Sequence, residues 1–498
     1  MTEFQGLTLT DEQCHTIDCM ESAEDTKTQA PAGSGKTKTL EAAAYFMAPR
    51  KGIYLAFNKA IAESAKKKFS NNVDCRTGHS VAFGAVAWPY KDRISKITGT
   101  LIANQMDIGK TDRFVSPGAK GYIILDTLRR FCYSADREIE VKHVPVIKGP
   151  YTEEEMPEIR ADIVPQAIKV WKDMTDKKGK LPITHDTYVK MWHLSKPTIK
   201  KDFILFDEAQ DANPVMLDVI CNQDHAKKIF VGDKFQQIYG WRGAINAMDR
   251  IKTTHATYIT QSFRFGDAIA NMANSILGSY MAPEDAPPLI RGLEGKDGNI
   301  SMAPIEDPDV IICRTNAGVI SNVFKYLETN TRVYVQGGVM QMMTMLRGAA
   351  DLQAGRKTYA PDLALFNNWQ EVVECSETES GQELKSFVTM IKNHGIPELM
   401  NALNRTSQYA DGADLTLTTA HKAKGLEWQK VRLYSDFPVP NEGQKLSQSE
   451  INLLYVAATR SLHTLDISSC VACHPETFYQ AKASFTNKGQ INVGWDIG

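Results

Sequence analysis

No stretch of this sequence approaches the roughly 20 consecutive apolar residues that a bilayer-crossing helix requires, and its start shows no basic-then-apolar leader pattern. No membrane role is expected, and the chain reads as intracellular. An excess of one charge sign is also missing: 57 Lys and Arg face 59 Asp and Glu, for a net charge of −2. That balance speaks against tight nonspecific binding of nucleic acid by bulk charge, while leaving room for a local groove that works through base stacking and a few phosphate contacts. Paired-cysteine arithmetic fails as well. Nine cysteines, an odd number scattered along a long chain, read as reduced thiols rather than a disulfide framework. One string, Cys470-Val-Ala-Cys473-His474, matches the haem-attachment pattern, but so short a string arises by chance and neither haem nor metal is expected there. Internal repeats and low-complexity tracts are absent.

What is present is an ordinary globular composition, 43% hydrophobic and 23% charged, in a chain of 498 residues. That is too long for one hydrophobic core, so several domains are expected. Short apolar runs alternate with helical patterns, the signature of parallel sheets covered on both faces. Candidate strands are 53–56, 203–206, 228–231, 257–260, 310–313, 332–335, 415–418, 431–434 and 464–468; candidate helices include 36–47, 60–69 and 450–459. The rhythm breaks twice, each time resuming afterwards, so each break reads as an insertion. The expected organisation is a first α/β domain from 1–83 and 196–261 interrupted by a helical insertion at 84–195. A second follows, from 262–355 and 412–498, interrupted by a short helical insertion at 356–411.

The most informative motif is Ala30-Pro-Ala-Gly33-Ser34-Gly35-Lys36-Thr37, followed by Lys38. Glycines at 33 and 35 let backbone N–H groups turn inward to phosphates, Lys36 reaches the β and γ oxygens, and the Thr37 hydroxyl is placed to hold Mg²⁺. A strict form of the pattern would have glycine in place of Ala30. Ile204-Leu-Phe-Asp207-Glu208-Ala-Gln210-Asp211 supplies what the loop lacks. An apolar run ending in two acids puts carboxylates at the carboxyl edge of a buried strand, where α/β ligands sit. Asp207 is then a second Mg²⁺ ligand, and Glu208 the base that orients and deprotonates the attacking water. Together these residues define an ATPase core. Far along the chain, Leu454-Tyr-Val-Ala-Ala-Thr-Arg460 offers an arginine behind a buried helical stretch. If it meets the same triphosphate, hydrolysis moves one part of the molecule against another, as a motor on a polymer requires.

With these pieces in order, the chain resembles superfamily 1 DNA helicases of the UvrD/Rep/PcrA type, and in particular the F-box helicase branch, from Leu9 to about 465. The resemblance rests on motif order and spacing. It implies two RecA-like parallel-sheet domains of the P-loop NTPase class, each with a mainly helical insertion subdomain. Thr10-Asp-Glu-Gln13 looks like the family's Q motif, in which Gln13 reads the adenine edge, although a capping box alone explains the same residues. Phe57-Asn58 is similar to a motif that stacks a DNA base, and Thr77-Gly-His79 to one on the DNA path. Gly232-Asp233-Lys-Phe-Gln236-Gln-Ile-Tyr239-Gly-Trp241-Arg242 resembles the segment linking nucleotide to DNA: Gln236 would face the γ-phosphate, and Tyr239, Trp241 and Arg242 the DNA.

Gln261-Ser-Phe263-Arg264 resembles a motif whose ring stacks on adenine and whose arginine meets the γ-phosphate. In Thr419-Ala-His421-Lys-Ala-Lys-Gly-Leu-Glu427-Trp428 the family likeness assigns Glu427 to the ribose, Thr419 and His421 to the DNA backbone, and Trp428 to a base. Arg460 would be the second arginine, and a finger of this kind contributes ~10³ to 10⁵ in rate.

The resemblance implies ATP and Mg²⁺ as cofactors, and single-stranded and tailed or forked duplex DNA as substrates. It also implies 3′ to 5′ movement. Work in repair, recombination or replication is expected, by a monomer that is cytoplasmic, nucleoid-associated in a prokaryotic or viral setting and nuclear in a eukaryote. The Q-like segment begins by residue 9, so an F-box ahead of it is not expected. Rival readings are a translocase that strips bound proteins with little unwinding, a GTPase-like switch, and a scaffold or the motor subunit of a nuclease complex. The absence of an Asn-Lys-x-Asp signature speaks against the switch.

Overall fold

The computed structural model describes residues 3–108, 117–145, 156–238, 247–358, 360, 363, 366–377, 382–440 and 445–486. Two compact units divide the chain: residues up to Ala30 together with Gly35–Ile259, and Pro31–Ser34 together with the residues from Thr260 onward.

The first unit is built on six parallel strands, β1 (Thr26–Gln29), β2 (Gly52–Ala56), β3 (Val73–Thr77), β4 (Phe203–Phe206), β5 (Lys227–Gly232) and β6 (His255–Tyr258), in the order β3-β2-β4-β5-β1-β6. Alternation along the strands feeds both faces of the sheet. Ile53, Leu55, Ile204 and Phe206 join one core, which also takes in Leu128, Ile163 and Trp192 of the inserted helices. Tyr54, Ala56, Phe203 and Leu205 join the opposite core with Ile17, Met20 and Leu40. Burial on both sides is why these strands read as continuous apolar runs. The insertion is mainly helical, with helices at Gly99–Gln105, Pro117–Tyr133, Met156–Thr175 and His185–Leu194. Gly99 and Gly121 allow the first two of these to touch backbone to backbone, since a Cβ on Gly121 would lie 2.0 Å from the Gly99 carbonyl oxygen.

Strand β1 escaped the sequence reading because Thr-Lys-Thr-Gln has no apolar residue, yet it lies between β5 and β6. Its polar groups are satisfied from afar. Thr28 and Thr257 hydroxyls meet at 2.9 Å, and the Lys27 ammonium donates to the Met248 and Ile251 carbonyls at 2.9 Å each. Strand β3 (Val-Asp-Cys-Arg-Thr) and the later Asn299–Ser301 also lack a continuous apolar run and are mostly half exposed, so no local pattern marks them. The strand expected at 257–260 instead covers His255–Tyr258, because β1 pairs register Thr26 with His255 and Gln29 with Tyr258.

The second unit repeats the plan with β7 (Asn299–Ser301), β8 (Val310–Cys313), β9 (Val333–Val335), β10 (Leu415–Thr419), β11 (Trp428–Leu433) and β12 (Ser461–Asp466), ordered β9-β10-β8-β11-β12-β7 and parallel throughout. Four helices between β9 and β10, at Met340–Gln353, Trp369–Ser376, Gln382–His394 and Ile396–Asn404, share the core of β8 to β10 through Leu346, Val372, Phe387 and Leu399. All nine cysteines are free thiols. Cys470 and Cys473 are buried with sulfurs 3.9 Å apart, and the His474 ring meets the Ile467 carbonyl at 3.0 Å, so the CxxCH string is part of a packed turn.

Candidate nucleotide-binding site

The loop after β1 begins with Ala30, fully buried, whose N–H donates to the Gly232 carbonyl at 2.9 Å. Gly33 and Gly35 have φ of +75° and +77°, the left-handed region that glycine enters without strain. Gly35 opens the helix Lys36–Phe46, and no side chain caps that end. The first-turn N–H groups of Lys36, Thr37 and Lys38 therefore point, with the helix dipole, toward a place suited to an anion. The Lys36 ammonium donates to the Ala30 carbonyl at 3.1 Å, folded back along its own loop. The Lys38 side chain turns to Gln5 (2.7 Å) and Glu41 (3.1 Å), so its backbone is its contribution to the loop. Within the second unit, Ser34 is buried, its hydroxyl on the Pro31 carbonyl at 2.9 Å. There too the Ser262 hydroxyl donates to the Ala32 carbonyl at 2.9 Å, and the Phe263 N–H to the Gly33 carbonyl at 2.8 Å.

At the end of β4 the Asp207 carboxylate, 5% exposed, accepts from Thr37 Oγ1 (3.2 Å), Tyr54 OH (2.7 Å) and the Glu208 N–H (2.9 Å). Burial, and then the neighbouring Glu208 charge, push its pKa up to about 6. A hydroxyl and a carboxylate whose negative charge is costly in isolation form an oxygen donor set suited to a hard dication. Thr37 and Asp207 would hold Mg²⁺, which would neutralise phosphate charge. Glu208 follows in a left-handed backbone conformation (φ +51°, ψ +42°), a state that costs a non-glycine residue about 1–2 kcal/mol. Its carboxylate accepts from Gln210 Nε2 at 2.5 Å; Gln210 Oε1 accepts from the Asp233 N–H at 3.0 Å; and Asp233 Oδ2 accepts from Gln236 Nε2 at 2.7 Å. The structure thus brings Thr37, Asp207, Glu208 and Gln236 into one connected group. Tyr54, Gln210 and Asp233, which join them, had no role in the sequence reading; only the fold reveals their partners.

Gln13 is engaged at both ends of its amide. Oε1 accepts from the Thr10 N–H (3.1 Å) in a reciprocal capping box, and Nε2 donates to Thr39 Oγ1 at 3.1 Å. In the second unit Arg264 Nε lies 2.8 Å from Glu427 Oε2, and its NH1 donates to the Thr459 carbonyl at 3.3 Å. Arg460 is fully buried, with Nε on the Val456 carbonyl (2.9 Å) and NH1 on that of Leu426 (3.4 Å), while its own carbonyl accepts from the Trp428 N–H at 3.1 Å. Phe263 is exposed, as a stacking ring needs to be.

The candidate DNA residues fall in both units. Phe57 is exposed, and beside it Asn58 caps the helix Lys59–Lys66 through the Ile61 N–H at 2.9 Å. His79 approaches Asp186 at 3.8 Å and lies edge-on to His185 and Tyr188 of the insertion. Thr419 is buried and caps the short helix Ala420–Ala423 that carries His421, and Trp428 is half-buried at the start of β11. Tyr239, Trp241 and Arg242 lie outside the described residues.

A parallel sheet with a glycine-rich loop entering a helix, and an acid pair at the carboxyl end of a nearby strand, defines a P-loop nucleotide-hydrolase domain. Sequence comparison narrows the class. The UvrD/REP helicase N-terminal domain model matches residues 189–255, and the UvrD-like helicase C-terminal domain model matches 324–472. The chain is 32% identical to F-box DNA helicase 1 of Gallus gallus over 90% of its own length and 48% of that protein. It is 31% identical to F-box DNA helicase protein 1 of Schizosaccharomyces pombe over 93% of its length and 58% of that one. A probable DNA helicase II homolog of Mycoplasma pneumoniae is 37% identical over 59% of the chain. The chain thus carries both a UvrD-like helicase N-terminal and a UvrD-like helicase C-terminal domain match. It spans about half the length of the first two of these relatives.

Proposed function

We propose that the protein is an ATP-dependent DNA helicase or translocase that moves 3′ to 5′ on single-stranded DNA in repair, recombination or replication. The observation that carries the reading is the union of Thr37, Asp207 and Glu208 beside an uncapped helix N-terminus, the set needed to hold Mg–ATP and activate water. Arg264 and Arg460 add positive charge for the γ-phosphate, Gln13 and Phe263 the adenine contacts, and Glu427 the ribose contact. Phe57, Asn58, His79, Thr419, His421 and Trp428 contact the strand, with Tyr239, Trp241 and Arg242 completing the set. Each stacked base contributes ~1 to 3 kcal/mol, comparable to one duplex stacking step, so small shifts in such contacts advance a strand. The protein acts as a monomer at the DNA.

Strand displacement on 3′-tailed and 5′-tailed duplexes, with Lys36→Ala as control, tests this. Unwinding that needs ATP, Lys36 and a 3′ tail is the expected result. Unwinding from the 5′ tail alone would reverse the polarity. ATP hydrolysis on single strands with tailed duplexes left intact would point instead to a translocase that clears bound proteins.

A further inference from the structure

We infer that Gln210 is a positioning residue for ATP hydrolysis: its amide sets the place of the Glu208 carboxylate and joins it to Gln236 through Asp233. The orientation of that amide is forced. The Asp233 backbone N–H can only donate, so the oxygen of Gln210 must face it, at 3.0 Å, and the NH₂ must face Glu208, at 2.5 Å. Gln210 and Asp233 are both fully buried, so no water competes for the bond between them, while Glu208 at the other end of the amide is partly exposed. The Asp233 carboxylate is held from three sides: Gln29 Nε2 (3.0 Å) and the Phe235 N–H (3.1 Å) on one oxygen, Gln236 Nε2 (2.7 Å) on the other. Gly232 leaves room for the arrangement, since a Cβ there would stand 2.4 Å from Gln210 Oε1, and its carbonyl receives the first N–H of the phosphate loop. One dipeptide, Gly232-Asp233, thereby connects the phosphate loop, the candidate base and the candidate γ-phosphate sensor. Glu208 sits in a left-handed backbone conformation that a flexible acid does not keep unaided, and the Gln210 amide supplies a fixed donor for it.

The inference rests on the proposed ATPase reading, and the experiment separates the two. ATP turnover of the full chain is measured with and without an oligothymidylate, for wild type, Gln210→Glu, Gln210→Met, Glu208→Gln and the double variant Glu208→Gln/Gln210→Glu. Gln210→Glu keeps an acceptor for Asp233 but turns a carboxylate toward Glu208, whereas Gln210→Met removes both bonds at similar volume. Both should lower kcat by about 10- to 100-fold, the scale of misplacing a catalytic group by an ångström, with KM for ATP and affinity for the oligonucleotide changed less than about twofold. The Gln210→Glu loss should nearly vanish on the Glu208→Gln background, because its route is through Glu208. If Gln210→Glu does not fold, Gln210→Met decides the matter alone. Turnover near wild type in the folded variants, or a loss that persists undiminished without Glu208, overturns this role while leaving the ATPase reading intact. A wild-type chain that does not hydrolyse ATP overturns both.

Discussion

Arg264 and Glu427, separated by more than 160 positions, are each other's counter-ion: Nε and Oε2 lie 2.8 Å apart. Both are candidates for nucleotide contact, one for phosphate and one for ribose, so the pair stores two ligand-binding groups in a mutually neutralised form. Glu427 is 49% exposed, which limits the contribution of the bridge to folding to about 0–1 kcal/mol. Glu427→Gln should therefore leave the melting temperature almost unchanged while raising KM for ATP. A large loss of thermal stability without a KM effect would assign the pair to folding instead.

Glu208→Gln should lower kcat for ATP hydrolysis by about 10²- to 10⁴-fold, the usual contribution of a general base, with nucleotide binding retained. Fluorescent-nucleotide binding measured beside turnover separates the two effects. Undiminished turnover would remove Glu208 from the chemistry.

In the first insertion, Gly121→Ala places a methyl 2.0 Å from the Gly99 carbonyl oxygen. That oxygen belongs to backbone and cannot rotate away, so the helices Gly99–Gln105 and Pro117–Tyr133 must separate. Overpacking of this kind costs about 1–3 kcal/mol. Chemical denaturation of the variant should show it, with Gly278→Ala, where a Cβ meets nothing within 4 Å, as the comparison.

Lys190 is fully buried, its ammonium on the Ser134 carbonyl at 2.7 Å and 4.4 Å from the Phe131 ring centre. Burial lowers its pKa to about 8 from an unfolded value near 10.5. Between those values the unfolded chain holds a proton that the folded chain has released, so stability from this group increases as pH rises. Compared with Lys190→Met, the wild type should gain stability from pH 8 toward 10, measured by denaturant titration across that window. A difference that stays flat or shrinks would show that Lys190 keeps its proton in the fold.

The strands 203–206 and 310–313 were legible to the residue because apolar runs buried on both faces need no distant partner to be recognised. The phosphate loop was legible because two glycines, a lysine and a threonine in that spacing have few other uses. The capping box at Thr10 was visible for the same local reason, and the structure shows Gln13 completing it.

What the sequence alone determined is the local chemistry: a loop that turns N–H groups inward, an acid pair after a buried strand, and an arginine behind an apolar helix. Tertiary structure decided everything that depends on polar groups finding partners far along the chain. The Thr26–Gln29 strand is stable in a sheet interior only because Thr257, Met248, Ile251 and Asp233 satisfy its side chains. Tyr54, Gln210 and Asp233 acquire their roles in the same way. A buried polar side chain is tolerated when its hydrogen bonds are made, and whether they are made depends on three-dimensional neighbours that no local pattern records.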